Sequence, residues 1–176
     1  PPRRPRRRAR RLRRRGLVSA RRPGYSALRL AAQLRAVRPT AGAGGGAGDP
    51  PPRVVAIEAQ PFVAAVALAI VAHAGAQAEV DVRVGRAADW LQAGDKLGGI
   101  DLLVMDHRGT MYHEDLAAAE PRLRPGARVV ADNVLHPGAP LLLARVLGHR
   151  AGAPPPRYQV RLHAVREFGY AELEDW

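Results

Sequence analysis

Short apolar segments alternate with helical segments along the chain from residue 54 onwards. The apolar segments are Val54–Ile57, Val80–Val84, Ile100–Met105, Ala127–Ala131 and Tyr158–Val165. The helical segments are Tyr25–Val37, Pro61–Ala74, Ala87–Leu91, Glu114–Ala119 and Pro140–Leu147. Strands that alternate with helices are typical of a parallel sheet covered on both faces. The sequence therefore predicts a doubly wound, mostly parallel α/β fold.

The positive charge of the chain lies in its first part. The formal net charge is +12, but residues 1–48 contain fifteen Arg and no acidic residue, whereas residues 49–176 carry a net charge of −3. Residues 1–15 are predicted to be disordered, because adjacent Arg side chains repel one another and no apolar face offsets the ordering entropy. We expect no nucleic-acid binding except through this Arg-rich N-terminal segment.

The length and composition of the chain predict one domain, without disulfides and without a membrane-spanning segment. The 176 residues suffice for one ordinary domain, predicted over residues 16–176 and interrupted by a flexible Gly/Pro-rich loop at 39–52. The chain has no Cys, which excludes disulfides and thiolate catalysis. The longest apolar run, Phe62–Ala72, is too short to span a bilayer. We expect a cytoplasmic monomer without a membrane span.

Polar residues follow the predicted strands. Glu58, Gly85 and Asp106 end three of them, and Asp132 with Asn133 ends a fourth. Because ligands bind outside the carboxyl ends of the strands in open α/β sheets, these residues should converge on the binding edge. An acid such as Glu58 can accept hydrogen bonds from ribose hydroxyls, although a solvated cap is the commoner role of a strand-end Glu.

Asp106, Asp132 and Asn133 form the most specific of these groups. Two carboxylates and an amide oxygen are hard ligands, which suit Mg²⁺. The alternative is that both Asp residues cap the turns that follow them. Three His residues also lie near this edge: His107, His113 and His136. An iron site with two His and one carboxylate is conceivable, but the His spacing favours surface or supporting roles.

Five motifs follow one another along the chain. They are Gly24-Tyr25-Ser26-Ala27-Leu28-Arg29-Leu30, Ile57-Glu58, Met105-Asp106-His107, Ala131-Asp132-Asn133-Val134 and Pro137-Gly138-Ala139-Pro140. In this order they resemble the catechol O-methyltransferase family, over roughly residues 16–170, and Val165–Glu167 resembles it more loosely. The resemblance implies a class I S-adenosylmethionine-dependent methyltransferase with a Rossmann-like sheet. It also implies truncation at the N-terminus, with the first strand degraded or missing.

The resemblance assigns roles to individual residues. It implies cofactor contacts for S-adenosylmethionine at Gly24, Tyr25, Ser26, Glu58 and His107. It implies that Asp106, Asp132 and Asn133 hold Mg²⁺, and that Asn133 and Pro137 contact a catechol-like substrate. In such a site the metal would lower the pKa of the substrate hydroxyl and fix it near the methyl donor.

The sequence departs from the family at several places, among them the position of the base and the loop before Gly24. The Lys that acts as base falls on Gly109, and the neighbouring Trp falls on Arg108, which cannot act as a base because it stays protonated. The catalytic base is therefore unknown, and we expect Gly109→Lys to raise turnover near neutral pH. The loop before Gly24 contains Arg21 and Arg22 in place of an acid and a glycine, which predicts weak cofactor binding.

Two functions remain open at this stage. The first is Mg²⁺-dependent transfer of a methyl group from S-adenosylmethionine to a hydroxyl of a catechol-like small molecule. The alternative is a catalytically impaired Rossmann-like remnant that binds nucleic acid through its Arg-rich N-terminal segment.

Overall fold

Five parallel strands form the sheet, in the order β3-β2-β1-β4-β5. The computed structural model describes residues 15–20, 23–36, 53–92, 97–148 and 157–164. The strands are β1 (Arg15–Ala20), β2 (Arg53–Glu58), β3 (Val80–Val84), β4 (Ile100–Asp106) and β5 (Leu123–Ala131). The helices are α1 (Pro23–Ala36), α2 (Pro61–His73), α3 (Ala87–Gln92), α4 (Tyr112–Ala119) and α5 (Pro140–Leu147).

Helices cover both faces of the sheet, which explains the continuous apolar run in β2. Val54 and Ala56 point to one face and pack in a cluster with residues of α1 and α2. Val55 and Ile57 point to the other face and pack with residues of α3, α4 and α5. Successive side chains of a strand alternate between faces, so a strand buried on both faces is apolar throughout.

The strand order reverses at β1, which lies in the middle of the sheet. β1 pairs with β2 on one side and with β4 on the other, and both pairings are parallel. The chain runs outward from β1 through β2 to β3, and then returns to β4 and β5. Right-handed crossovers then place the two sets of helices on opposite faces. In folds of this kind the ligand crevice lies at the reversal, here between β1 and β4.

The predicted doubly wound α/β fold is confirmed, and several elements begin earlier than the sequence predicts, among them α4 and β5. Helix α4 begins at Tyr112, directly after a short 3-10 turn at Gly109–Met111. Strand β5 begins at Leu123, but its pairing with β4 is irregular before Arg128. Pro125 lies within this irregular part and lacks the N–H that a regular ladder requires.

The expectation that the first strand is degraded or missing is wrong. Arg15–Ala20 forms a six-residue strand whose residues pair with β2 and β4 along its length. The apolar stretch here is too short to indicate a strand by its pattern alone. A central strand receives backbone hydrogen bonds from both sides, so it can form from a weakly apolar sequence.

The predicted last strand is also wrong over residues 158–164, which contain no regular secondary structure. Val160 and Leu162 are 43% and 61% exposed. Alternation of apolar and polar residues predicts a strand only where a neighbouring strand and a buried face are available. Tyr158 alone in this segment is partly buried, and it contacts the core through its ring.

Several predictions fall outside the described residues. These are the disordered segment apart from Arg15, the Gly/Pro-rich loop at 39–52, the loop residues Arg21 and Arg22, and the looser resemblance at Val165–Glu167. Within the described part of the chain, no helix combines the length and the hydropathy needed to cross a membrane.

Candidate active site

The carboxyl ends of β4 and β5 bring Asp106 and Asp132 together. Met105 pairs with Ala131 in the parallel ladder, so the two Asp residues occupy the next position on each side. The backbone N–H of Asp132 donates to the carbonyl of Met105 at 2.9 Å, which continues the pairing past the end of β5. Neighbouring strands lie about 4.8 Å apart, so both carboxylates belong to one small region of the edge.

Asn133 follows Asp132 at the start of the turn after β5. Its φ of 55° and ψ of 33° lie in the left-handed region, which Asn tolerates better than most residues. Its N–H donates to Oδ1 of Asp132 at 2.8 Å. The side chains of both residues are exposed, which leaves them accessible to a ligand from solvent.

The chemistry of this group fits a hard divalent cation. Two carboxylates and one amide oxygen can occupy part of an octahedral shell, with water or substrate oxygens in the remaining positions. Within the described ranges there is no group of three or more His, Cys, Asp or Glu side chains that could hold a metal ion. The group at this edge contains two such residues, Asp106 and Asp132, and its third residue, Asn133, carries an amide.

Glu58 lies at the same edge, at the end of β2. Its side chain is half-buried, and Oε1 accepts a hydrogen bond from the backbone N–H of Gln60 at 2.8 Å. Its backbone carbonyl accepts from the N–H of Gly85 at 2.9 Å, which joins the ends of β2 and β3. Both residues therefore lie where the sequence predicted, across β1 from the two Asp residues.

Gly24, Tyr25 and Ser26 occupy the first turn of α1, which follows β1. Tyr25 is 64% exposed and Ser26 is half-buried. Gly24 is buried, and a Cβ there would lie 3.2 Å from Cδ1 of Ile70 and 3.3 Å from Cα of Ala67. Close packing between α1 and α2 is thus a sufficient reason for glycine at this position.

His107 is held by a buried acid from α4. Its Nε2 lies 2.6 Å from Oδ2 of Asp115, a residue that is only 5% exposed. The His107 ring also meets the ring of Tyr112 edge to face, with centroids 4.9 Å apart. The pairing with Asp115 fixes the orientation of the imidazole directly after Asp106.

Tyr112 and Asp115 are the residues that the sequence analysis missed. Tyr112 is 2% exposed, and its hydroxyl donates to the backbone carbonyl of Asp132 at 3.2 Å. The sequence pattern predicts that the helix begins at Glu114, which would leave Tyr112 in a loop and make Asp115 an ordinary first-turn acid. The only indication was the combination of a large aromatic residue and an acid within one helical turn.

Gly109 occupies a position where no side chain fits. A Cβ built there would collide with the backbone carbonyl oxygen of Gly138 and would lie 3.3 Å from Cβ of Ala139. This contact contradicts the expectation that Gly109→Lys raises turnover, because a Lys would first have to displace the turn at 134–138. Arg108, which replaces the aromatic residue of the family, is exposed.

Pro137 and His136 lie in the turn Val134–Gly138 that follows Asn133. Both side chains are exposed, and the N–H of Gly138 donates to the carbonyl of Asn133 at 3.1 Å. The turn therefore stands next to the two Asp residues. His113, the third His of the predicted region, lies in α4 close to its neighbour Glu114.

Comparison with known proteins relates this arrangement to a family. A family model described as a methyltransferase domain matches residues 22–134. Catechol O-methyltransferase of Sus scrofa is 36% identical over 130 residues, which cover 71% of this chain and 62% of that protein. Transmembrane O-methyltransferase of Homo sapiens is 36% identical over 160 residues, which cover 86% of this chain and 47% of that protein.

A solved structure agrees in fold. The O-methyltransferase TomG from Streptomyces achromogenes, determined in complex with S-adenosylmethionine, matches with a TM-score of 0.57 and 34% identity, over 72% of this chain and 51% of TomG. The chain spans less than two thirds of the length of each of these three proteins. The chain belongs to the class I S-adenosylmethionine-dependent methyltransferase family, among the proteins related to catechol O-methyltransferase.

Proposed function

We propose that this chain transfers a methyl group from S-adenosylmethionine to a hydroxyl of a catechol-like diol, with Mg²⁺ held by Asp106, Asp132 and Asn133. The observation that carries the proposal is the adjoining position of two residues, Asp106 at the end of β4 and Asp132 directly after β5, beside the reversal of the strand order. The relatives named catechol O-methyltransferase support the substrate class, since that of Sus scrofa is 36% identical to this chain over 130 residues.

We assign cofactor binding to the ends of β1 and β2, which lie at the same edge of the sheet as Asp106 and Asp132. Glu58 would accept hydrogen bonds from the ribose hydroxyls through its carboxylate, which stands at the end of β2. The first turn of α1, with Gly24, Tyr25 and Ser26, would meet the methionine end of the cofactor, where the helix dipole favours its carboxylate. His107 would lie near the adenine.

The residues of this chain contribute orientation and charge to the reaction. Asp106, Asp132 and Asn133 would fix the diol so that one oxygen faces the methyl group, and this alignment lowers the entropic barrier. A bound Mg²⁺ would supply Lewis acidity, which favours ionisation of the diol hydroxyl near neutral pH. With S-adenosylmethionine bound there, the oxygen–methyl bond would form as the methyl–sulfur bond breaks, and the hydroxyl proton would pass to solvent because Gly109 offers no acceptor.

The contact between Gly109 and Gly138 favours a second candidate, a protein that binds cofactor and diol but turns over slowly. A positioned general base contributes about 10²–10⁴-fold to a rate, and no side chain can be accommodated at Gly109 to provide one. Cofactor binding in calorimetry without measurable methylation would support this catalytically impaired form over the enzyme.

Transfer of labelled methyl groups from S-adenosylmethionine to catechol tests the proposal. We expect Asp132→Ala or excess chelator to abolish turnover, because either removes the cation from the edge. Glu79→Ala is the matched control, since Glu79 precedes β3 at the opposite end of the sheet and pairs with Arg35. Methylation that persists in Asp132→Ala and in chelator would show that the proposed metal site is wrong.

A further inference from the structure

One buried side chain of α4 contacts the segments that follow both β4 and β5. Tyr112 donates its hydroxyl to the backbone carbonyl of Asp132, and the same ring meets the His107 ring. It is one of the largest fully buried side chains of the described residues. A single rigid phenol therefore spans the two chain segments that supply the candidate ligands.

The hydrogen bond reaches the peptide group that joins Asp132 to Asn133. A peptide flip at this position would turn the Asp132 carbonyl away from Tyr112 and would move Asn133 out of the left-handed region, where its φ is 55°. Left-handed backbone is uncommon outside glycine and persists only where the surroundings hold it. The Tyr112 hydroxyl opposes this flip, because flipping would remove its acceptor.

The same peptide is also held through its N–H, which donates to Oδ1 of Asp132, so Tyr112 shares the restraint with the Asp132 side chain. The N–H of Asp132 is bound to β4, and the carbonyl of Asn133 accepts from Gly138. Helix α4, which carries Tyr112, is fixed in turn to the segment after β4 by the pair of His107 with buried Asp115. The phenol is thus anchored on one side and can restrain the turn on the other.

We propose that Tyr112 is a positioning residue that holds the Asp132–Asn133 peptide in the orientation that presents both side chains to one divalent cation. This inference rests on the proposed function, because it assumes that these side chains are ligands. Residues that orient the ligands of a metal typically change its affinity by about 10–100-fold when they are removed.

Binding of Mn²⁺, a hard cation that stands in for Mg²⁺, tests the inference by electron paramagnetic resonance of the free ion. We expect Tyr112→Phe, which keeps the ring and removes the hydroxyl, to weaken Mn²⁺ binding about tenfold. The affinity for S-adenosylhomocysteine should stay unchanged, which a general loss of structure would not allow. Tyr158→Phe is the matched control, because its hydroxyl binds Glu120 away from this edge.

Three outcomes separate this inference from the proposed function. Unchanged Mn²⁺ affinity in Tyr112→Phe, together with loss of binding in Asp106→Ala, would overturn the role of Tyr112 and leave the metal site in place. Unchanged Mn²⁺ affinity in Asp106→Ala would overturn both. An equal loss of Mn²⁺ and cofactor affinity in Tyr112→Phe would show a merely structural role and would also overturn the inference.

A second measurement needs no variant and therefore does not depend on the folding of Tyr112→Phe. In protein with ¹³C-labelled Tyr rings, addition of Mg²⁺ should shift the Tyr112 ring resonances, because the acceptor of its hydroxyl lies on a ligand residue. The Tyr158 resonances should not move. A Tyr112 resonance that stays in place on saturation with Mg²⁺ would contradict the proposed coupling.

Discussion

At the scale of single residues, close packing explains the presence of glycine at two positions that a functional role could also explain. Gly24 lies in a motif that resembles the family, and Gly109 stands where the family has a Lys. The structure shows that Gly24 allows α1 to approach α2, and that Gly109 allows the turn after β4 to approach Gly138. Sequence alone could not separate these causes, because each depends on a contact with residues distant along the chain.

The close approach at Gly109 predicts a measurable cost for any side chain. Gly109→Ala places a methyl group against the Gly138 carbonyl, so we expect a loss of about 1–3 kcal/mol in the free energy of unfolding. Urea denaturation measures this loss. The control is Thr110→Ala at the adjacent exposed position, which should change the free energy by less than about 0.5 kcal/mol. Equal stabilities of the two variants would show that the turn at 134–138 moves at no cost to accommodate the added methyl group.

At the scale of elements, the strand ends were predictable and the contacts of α4 were not. Glu58, Asp106 and Asp132 could be placed because apolar runs show where buried strands end, and parallel strands share one carboxyl edge. The pair of His107 with Asp115 depends instead on how α4 packs against the sheet. A pattern that repeats every few residues carries no information about such a contact.

The Glu120 carboxylate, in the turn after α4, is hydrogen-bonded to α5 and to the segment at 157–164. Glu120 accepts hydrogen bonds from Arg145 of α5 at 2.9 Å and from the Tyr158 hydroxyl at 2.7 Å. Burial acts to raise the pKa of Glu120, but the hydrogen bonds from Tyr158 and Arg145 outweigh it and lower the pKa below the ordinary value of 4.5. Burial and the bond to Glu120 also raise the pKa of Tyr158.

This arrangement predicts a pH dependence of stability at the acid side. Because the pKa of Glu120 is lower in the folded state, its contribution is present above pH 4.5 and is lost as the pH falls through the folded value. We expect wild type to exceed Glu120→Gln by about 1–2 kcal/mol in unfolding free energy at pH 7. Denaturation at several pH values should show this difference shrinking below pH 4.5.

The matched control for that series is Glu114→Gln. Glu114 is an exposed carboxylate of α4, with 55% of its side chain accessible, and its removal should change stability by less than about 0.5 kcal/mol. If the difference in unfolding free energy between wild type and Glu120→Gln stays constant from pH 7 to pH 3, the negative charge of Glu120 does not have the stabilising role assigned to it.

At the scale of the whole molecule, the order of the strands determines where chemistry can occur. The sequence predicts a doubly wound sheet, but the order β3-β2-β1-β4-β5 becomes visible only when β1 is seen between β2 and β4. That order places Glu58 on one side of the reversal and Asp106 on the other. A cofactor and a cation can therefore occupy neighbouring parts of one edge.

The most direct test of this account is calorimetric titration of S-adenosylhomocysteine into the full chain and into two variants. Glu58→Ala should weaken binding about tenfold or more, because hydrogen bonds to a charged group contribute about 1.5–3 kcal/mol. Glu79→Ala, which removes a carboxylate from the opposite end of the sheet, should bind like wild type. Absence of binding to wild type, or equal affinities for wild type and Glu58→Ala, would contradict the assignment of this edge as a cofactor site.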